Sequence, residues 1–125
     1  MSWVDLVDNP MQVTQLYSSV PDLNKITLTE VELGDRLDFS LKFIFSRLPD
    51  RIPDRWKYRE YTTVQFELDF WGIKDFTLTD YHCGELWTFH FSKNEDGWIR
   101  FEGKSDTGRI AGSCRALYLQ HVTLL

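Results

Sequence analysis

The sequence predicts an α+β domain, one N-terminal helix packed on a mainly antiparallel β-sandwich or strongly curved sheet of six to seven strands. Three observations predict it. Apolar and polar residues alternate through long stretches, 37–45 and 64–70 above all, which is the period of a strand with one face inward. Helical periodicity is confined to one early segment. Prolines, glycines and an Asp-Gly pair separate the alternating stretches, so neighbours fold back in hairpin order.

The helix is expected after Asn9-Pro10, with Asn9 as N-cap and Pro10 at the first helical position, where its missing N–H costs nothing. Met11, Val13, Leu16, Tyr17 and Val20 then recur at near-helical spacing over about ten residues, and Pro21 stops the run. Trp3, Val4 and Leu6 are expected to cover one edge of the core.

Strand character begins at Lys25. Ile26 and Leu28 share one face and Val31 and Leu33 the next, with a slip of phase at Thr29-Glu30 that calls for a β-bulge. Gly34-Asp35-Arg36 turns the chain into a second strand, 37–45. Pro49 and Pro53 then forbid a continuing helix or strand through 47–56. A third strand is expected over 63–71, broken by Gly72, and a fourth over 73–78. A loop, 79–84, leads to a fifth over 85–92, whose apolar members are Leu86, Trp87, Phe89 and Phe91. Asp96-Gly97 marks a hairpin answered by 98–101. The last stretch, 109–122, alternates as a strand, with a helix from Ser113 onward as the rival.

A chain of 125 residues makes one domain, 1–125, able to bury a single core. No apolar run approaches a membrane span, and the start of the chain carries acids instead of a basic leader region. The expectation is a cytoplasmic protein. Cys83 and Cys114, 31 positions apart, are then expected as free, packed thiols. The formal charge of −5 disfavours nucleic acid and anionic membranes as partners. Oligomeric state stays open between monomer and dimer, because sequence does not reveal which strand edges are covered.

The chemical inventory is thin. His82-Cys83 is the only adjacent reactive pair, and neighbours on an extended chain point in opposite directions. His82, Cys83, His90 and Cys114 lack the tight pairs of a zinc site. Glu67 and Asp69 share one strand face, where they serve as acid/base partners, as an acidic patch or simply as a wet outer surface. Trp56, Tyr58 and Tyr61 interleave with Arg55, Lys57, Arg59 and Glu60, a mixture that protein interfaces favour. Trp56 has two readings, interface anchor or plug for the open end of the core.

Taken in order, several landmarks carry a likeness that spans essentially the whole chain. They are Trp3, Asn9-Pro10, Leu16-Tyr17, Pro21-x-Leu23, Leu28 with Val31 and Leu33, and Pro53-x-x-Trp56. Val64-x-Phe66-x-Leu68-x-Phe70, Ile73-Lys74-Asp75-Phe76-x-Leu78 and the Cys114 strand complete them. In these the chain resembles the immunity protein 50 family of bacterial polymorphic toxin systems. The resemblance implies a stoichiometric, non-enzymatic inhibitor of a cognate toxin domain, with no catalytic set and no cofactor to carry over. The acidic charge suits a basic toxin such as a nuclease.

The partner-binding candidates chosen on exposed aromatic and acidic character are Trp56, Tyr58, Glu60, Tyr61, Glu67, Asp69 and Trp71. Two other classes compete. A carbohydrate- or ligand-binding module would need Trp71, Trp87 and Trp98 in a row on one solvated face. A small hydrolase would need Glu67 or Asp69 beside His90.

Overall fold

In a computed structural model that describes residues 2–34, 38–82 and 84–125, the regular secondary structure is almost entirely strand. A one-turn helix, Trp3–Leu6, and α1, Met11–Thr14, precede β1, Ile26–Leu33, and β2, Asp38–Ile44. A one-turn helix at Asp54–Trp56 precedes β3, Val64–Trp71, and β4, Lys74–Thr79. The remaining strands are β5, Leu86–Lys93, β6, Ile99–Lys104, β7, Arg109–Cys114, and β8, Ala116–Leu124. All the strand pairs are antiparallel and form one sheet in the order β4-β7-β6-β5-β1-β2-β3-β8.

That order closes on itself. β4 continues β3 after Gly72-Ile73, and β8 continues β7 after Arg115, so the two ends of the sheet are tied together by the chain. β3 pairs with β8 while β4 pairs with β7, so these are two long bent strands running side by side through a shared kink. At the kink the Arg115 N–H donates to the Trp71 carbonyl at 2.8 Å. Gly72 there has φ +68°, and a Cβ on it would sit 3.1 Å from the Arg115 side chain, which explains glycine at the corner.

The interior is one continuous core. Phe39, Leu41 and Phe43 from β2 register opposite Phe70, Leu68 and Phe66 from β3, all buried. Trp87, Phe101 and Ile110 fill the other half. Gly103 opposes Phe89 because the ring occupies the place of a side chain, 2.3 Å from where a Cβ would stand.

The expected bulge in β1 is present, with register shifting between Leu28 and Glu30 and the Thr29 hydroxyl donating to the Lys42 carbonyl at 3.1 Å. Elsewhere the structure departs from expectation. The helix shrinks to Met11–Thr14, capped by Pro10 instead of Asn9. The Leu16 carbonyl accepts the Arg51 N–H and Ser18 binds Asp50, so the backbone partners a longer helix needs are spent across the fold. Asn9 is engaged elsewhere: its amide donates to the Leu119 carbonyl at 2.7 Å and accepts the Leu119 N–H at 2.8 Å, closing the outer edge of β8. The final stretch is two strands, not one strand or a helix, which brings the number to eight. Of the two expected forms, sandwich or strongly curved sheet, the structure has the single sheet, and helix content is small. The turn assigned to Gly34-Asp35-Arg36 lies partly, at Asp35 and Arg36, outside the described residues, as does Cys83. Cys114 is a free, fully buried thiol.

Candidate functional site

Two prolines and a set of cross-fold bonds build one end of the molecule. After β2 the chain cannot continue as a strand past Pro49 and Pro53, and it is pinned back toward α1. Asp50 accepts the Ser18 N–H at 2.9 Å and its hydroxyl, while the Arg51 N–H reaches the Leu16 carbonyl at 2.9 Å. The Arg47 guanidinium lies 5.2 Å from the Tyr17 ring centre. Burial pushes the Tyr17 hydroxyl up to about 12. The last residue described, Leu125, bonds Thr62 and Thr63 and draws β8 against the same loop.

Between this loop, α1 and β8 opens a cleft of about 680 Å³. Arg51, Arg55, Arg59, Ile52, Pro53 and Trp56 line it from the loop, Gln12 from α1, Gln15 and Leu16 from the residues just after α1, and Gln120, His121 and Val122 from β8. His121 reaches it through a bulge: Phe66 pairs with Val122 and Leu68 with Leu119, so Gln120 and His121 together oppose Glu67. Three arginines spaced four apart share the cleft with no lining carboxylate.

The sequence-derived candidates fall into two groups. Trp56 is buried, 7% exposed, with its ring edge-on to Tyr61 at 6.0 Å. That matches the plug among its two readings, although its ring also lines the cleft. Tyr58 is 91% exposed, Glu60 is exposed and Tyr61 half-buried, all in the same loop. Glu67, Asp69 and Trp71 lie instead on the outer face of β3, with Trp71 at the far end of the strand, roughly 23 Å from Val64 at strand rise. Trp71 is half-exposed and meets Tyr118 edge-on at 5.8 Å.

That outer face is partly self-satisfied. The Ser40 hydroxyl donates to Asp69 at 2.7 Å, and the Lys42 ammonium lies 2.8 Å from Glu30 and 4.0 Å from Glu67. Burial, and then Asp69 beside it, push the Glu67 carboxyl above the usual carboxylate range, against the pull of His121 and Lys42.

Neither competing class finds its site. Trp87 is fully buried, and Trp98 is half-buried with Lys74 and Arg115 at 4.0 and 3.7 Å from its ring centre. Trp71, Trp87 and Trp98 therefore form no solvated row, which corrects the expectation for a sugar-binding face. His90 pairs opposite Glu102 on β5, with β1 and β2 between that strand and β3, so it does not meet Glu67 or Asp69. Among the described residues no three side chains are grouped to hold a metal, and no helix is long and apolar enough to cross a membrane.

The site choice made on sequence omitted Arg51, Arg55, Arg59, Gln15, Gln120 and His121. The arginines had a legible signal, since residues 47–59 hold five of the chain's fourteen Lys and Arg. His121 had none, because a bulge set by pairing with β3 aims it. Compared with known proteins, the family model described as immunity protein 50 matches residues 9–125. No curated protein and no solved structure matches the chain.

Proposed function

We propose that this chain, which belongs to the immunity protein 50 family, binds a cognate toxin domain and neutralises it stoichiometrically, without chemistry of its own. The match over residues 9–125 is the observation that carries this reading. The surface supports it at the loop end. Five of the nine exposed large apolar side chains among the described residues, Met11, Leu48, Ile52, Tyr58 and Leu125, belong to the segments that build that end. Exposed Tyr and Met beside Arg is the composition of interface centres, where large area is gained at low entropic cost.

The protein acts, in this reading, in the cytoplasm of the toxin-producing cell. Its net charge of −5 favours encounter with a basic toxin such as a nuclease, since long-range attraction raises the association rate more than the final affinity. Co-expressing the toxin domain encoded beside this chain in a naive host, with and without the protein, tests the reading. Rescue from growth arrest together with a 1:1 complex on gel filtration is expected; toxicity that the protein cannot relieve overturns it. Within that complex, Tyr58→Ala is expected to weaken binding about tenfold or more while leaving the thermal midpoint of the free protein unchanged.

A further inference from the structure

We infer that the arginine-lined cleft receives an acidic peptide segment of the toxin domain, two or more carboxylates entering between Arg51, Arg55 and Arg59. The inference rests on the toxin-binding reading and names the chemistry of its contact.

Charge is distributed unevenly along the chain. Residues 47–59 hold five basic and two acidic side chains, net +3, so the rest of this −5 chain carries −8. With acids in such excess elsewhere, arginines left unpaired in a concave site are the notable feature. Among the described residues none of the three takes part in an ion pair; Arg55 lies 5.8 Å from the Trp56 ring centre instead. A guanidinium presents a planar fork that matches a carboxylate with two parallel hydrogen bonds. Gln15 and Gln120 are exposed in the same cleft and offer amides to a peptide main chain.

The surroundings choose peptide over nucleic acid. A phosphate backbone is a long, uniform anion, and past His121 it would run onto Glu67 and Asp69. Ile52, exposed in the lining of the cleft, wants an apolar neighbour, which a peptide brings.

The test uses the full chain and three variants. Arg51→Glu/Arg55→Glu/Arg59→Glu is expected to weaken the toxin complex a hundredfold or more, with the circular dichroism spectrum unchanged. Arg51→Lys/Arg55→Lys/Arg59→Lys is expected to retain much of the affinity, and Glu67→Lys/Asp69→Lys to change it less than threefold. Affinity within threefold of the parent for the glutamate triple variant overturns the inference. A second arm separates it from the function reading: hexaglutamate, hexalysine and inorganic phosphate are titrated while the Trp56 indole N–H resonance is followed. Saturable shifts with hexaglutamate alone, lost in the glutamate triple variant, uphold the cleft even where no toxin complex forms, and the function reading then falls by itself. Shifts with phosphate that match those with hexaglutamate overturn the peptide assignment in favour of a phosphate ligand. Silence with hexaglutamate and no effect on the complex overturns the inference outright.

Discussion

Glu67 shows how much one neighbour changes a side chain whose position in the pattern is ordinary. Alternation alone puts it on the wet face of β3, yet it is held against Asp69 and shielded enough that its carboxyl titrates above the usual 4.5. The sign of the consequence follows from proton counting. Between the unfolded and the raised folded values the folded protein binds more protons, so stability falls as pH rises through that window. Below about pH 4 both states are protonated and the effect disappears. Glu67→Gln is therefore expected to stabilise the protein at pH 7, on the order of 1 kcal/mol or less, and to be neutral at pH 3.5. Urea unfolding at the two pH values measures this, and a variant less stable than the parent at pH 7 refutes it. Trp56 and Tyr58 make the complementary point two residues apart. The sequence allows an anchor at either position and also a plug at Trp56; Trp56 is buried and Tyr58 almost wholly exposed.

At the scale of elements, β8 owes its order to partners on both sides. β3 pairs along one edge, and the segment before α1 covers part of the other, where the Asn9 side chain imitates a strand residue by exchanging two hydrogen bonds with Leu119. Val7 bridges Leu117 in parallel and the Asp8 N–H donates to the Leu117 carbonyl at 2.9 Å. An uncovered edge is a template for unwanted pairing, so this cover is protective as well as stabilising. Asn9→Ala is expected to cost about 1–3 kcal/mol and to speed amide exchange at Leu119. Asn9→Asp is expected to fail as well, because a carboxylate accepts the Leu119 N–H but faces its carbonyl without a donor. Exchange protection at Leu119 unchanged in both variants counts against the account. The same contacts explain why a periodic helix pattern yields only Met11–Thr14: Asn9, Leu16 and Ser18 are recruited by distant segments.

The whole molecule is held shut by continuity of the chain through the β3–β4 and β7–β8 corners, so core groups beside the corner should be released only when the sheet opens as a unit. Cys114, the last residue of β7, is fully buried and its thiol is pushed up to about 12 by that burial. In a Cys83→Ser background, native Cys114 is expected to react with a thiol reagent at least about a thousandfold more slowly than in denaturant, at a rate set by global unfolding. Modification within minutes under native conditions would mean that the corner opens locally. The same closure leaves one end free to be built from loop, α1 and β8, and there the basic cleft stands apart from an acidic body.

Strand positions, the β1 bulge and the proline-bound loop were readable from the chain, because alternation and turn chemistry act over a few residues. The likeness that named the family was readable too. Closure of the sheet, the β7–β8 break at Arg115, the recruitment of Asn9 and the aiming of His121 into the cleft were decided by tertiary structure. Each depends on pairing between residues tens of positions apart, and in a period-two pattern the same alternation serves a sandwich and a closed sheet equally well.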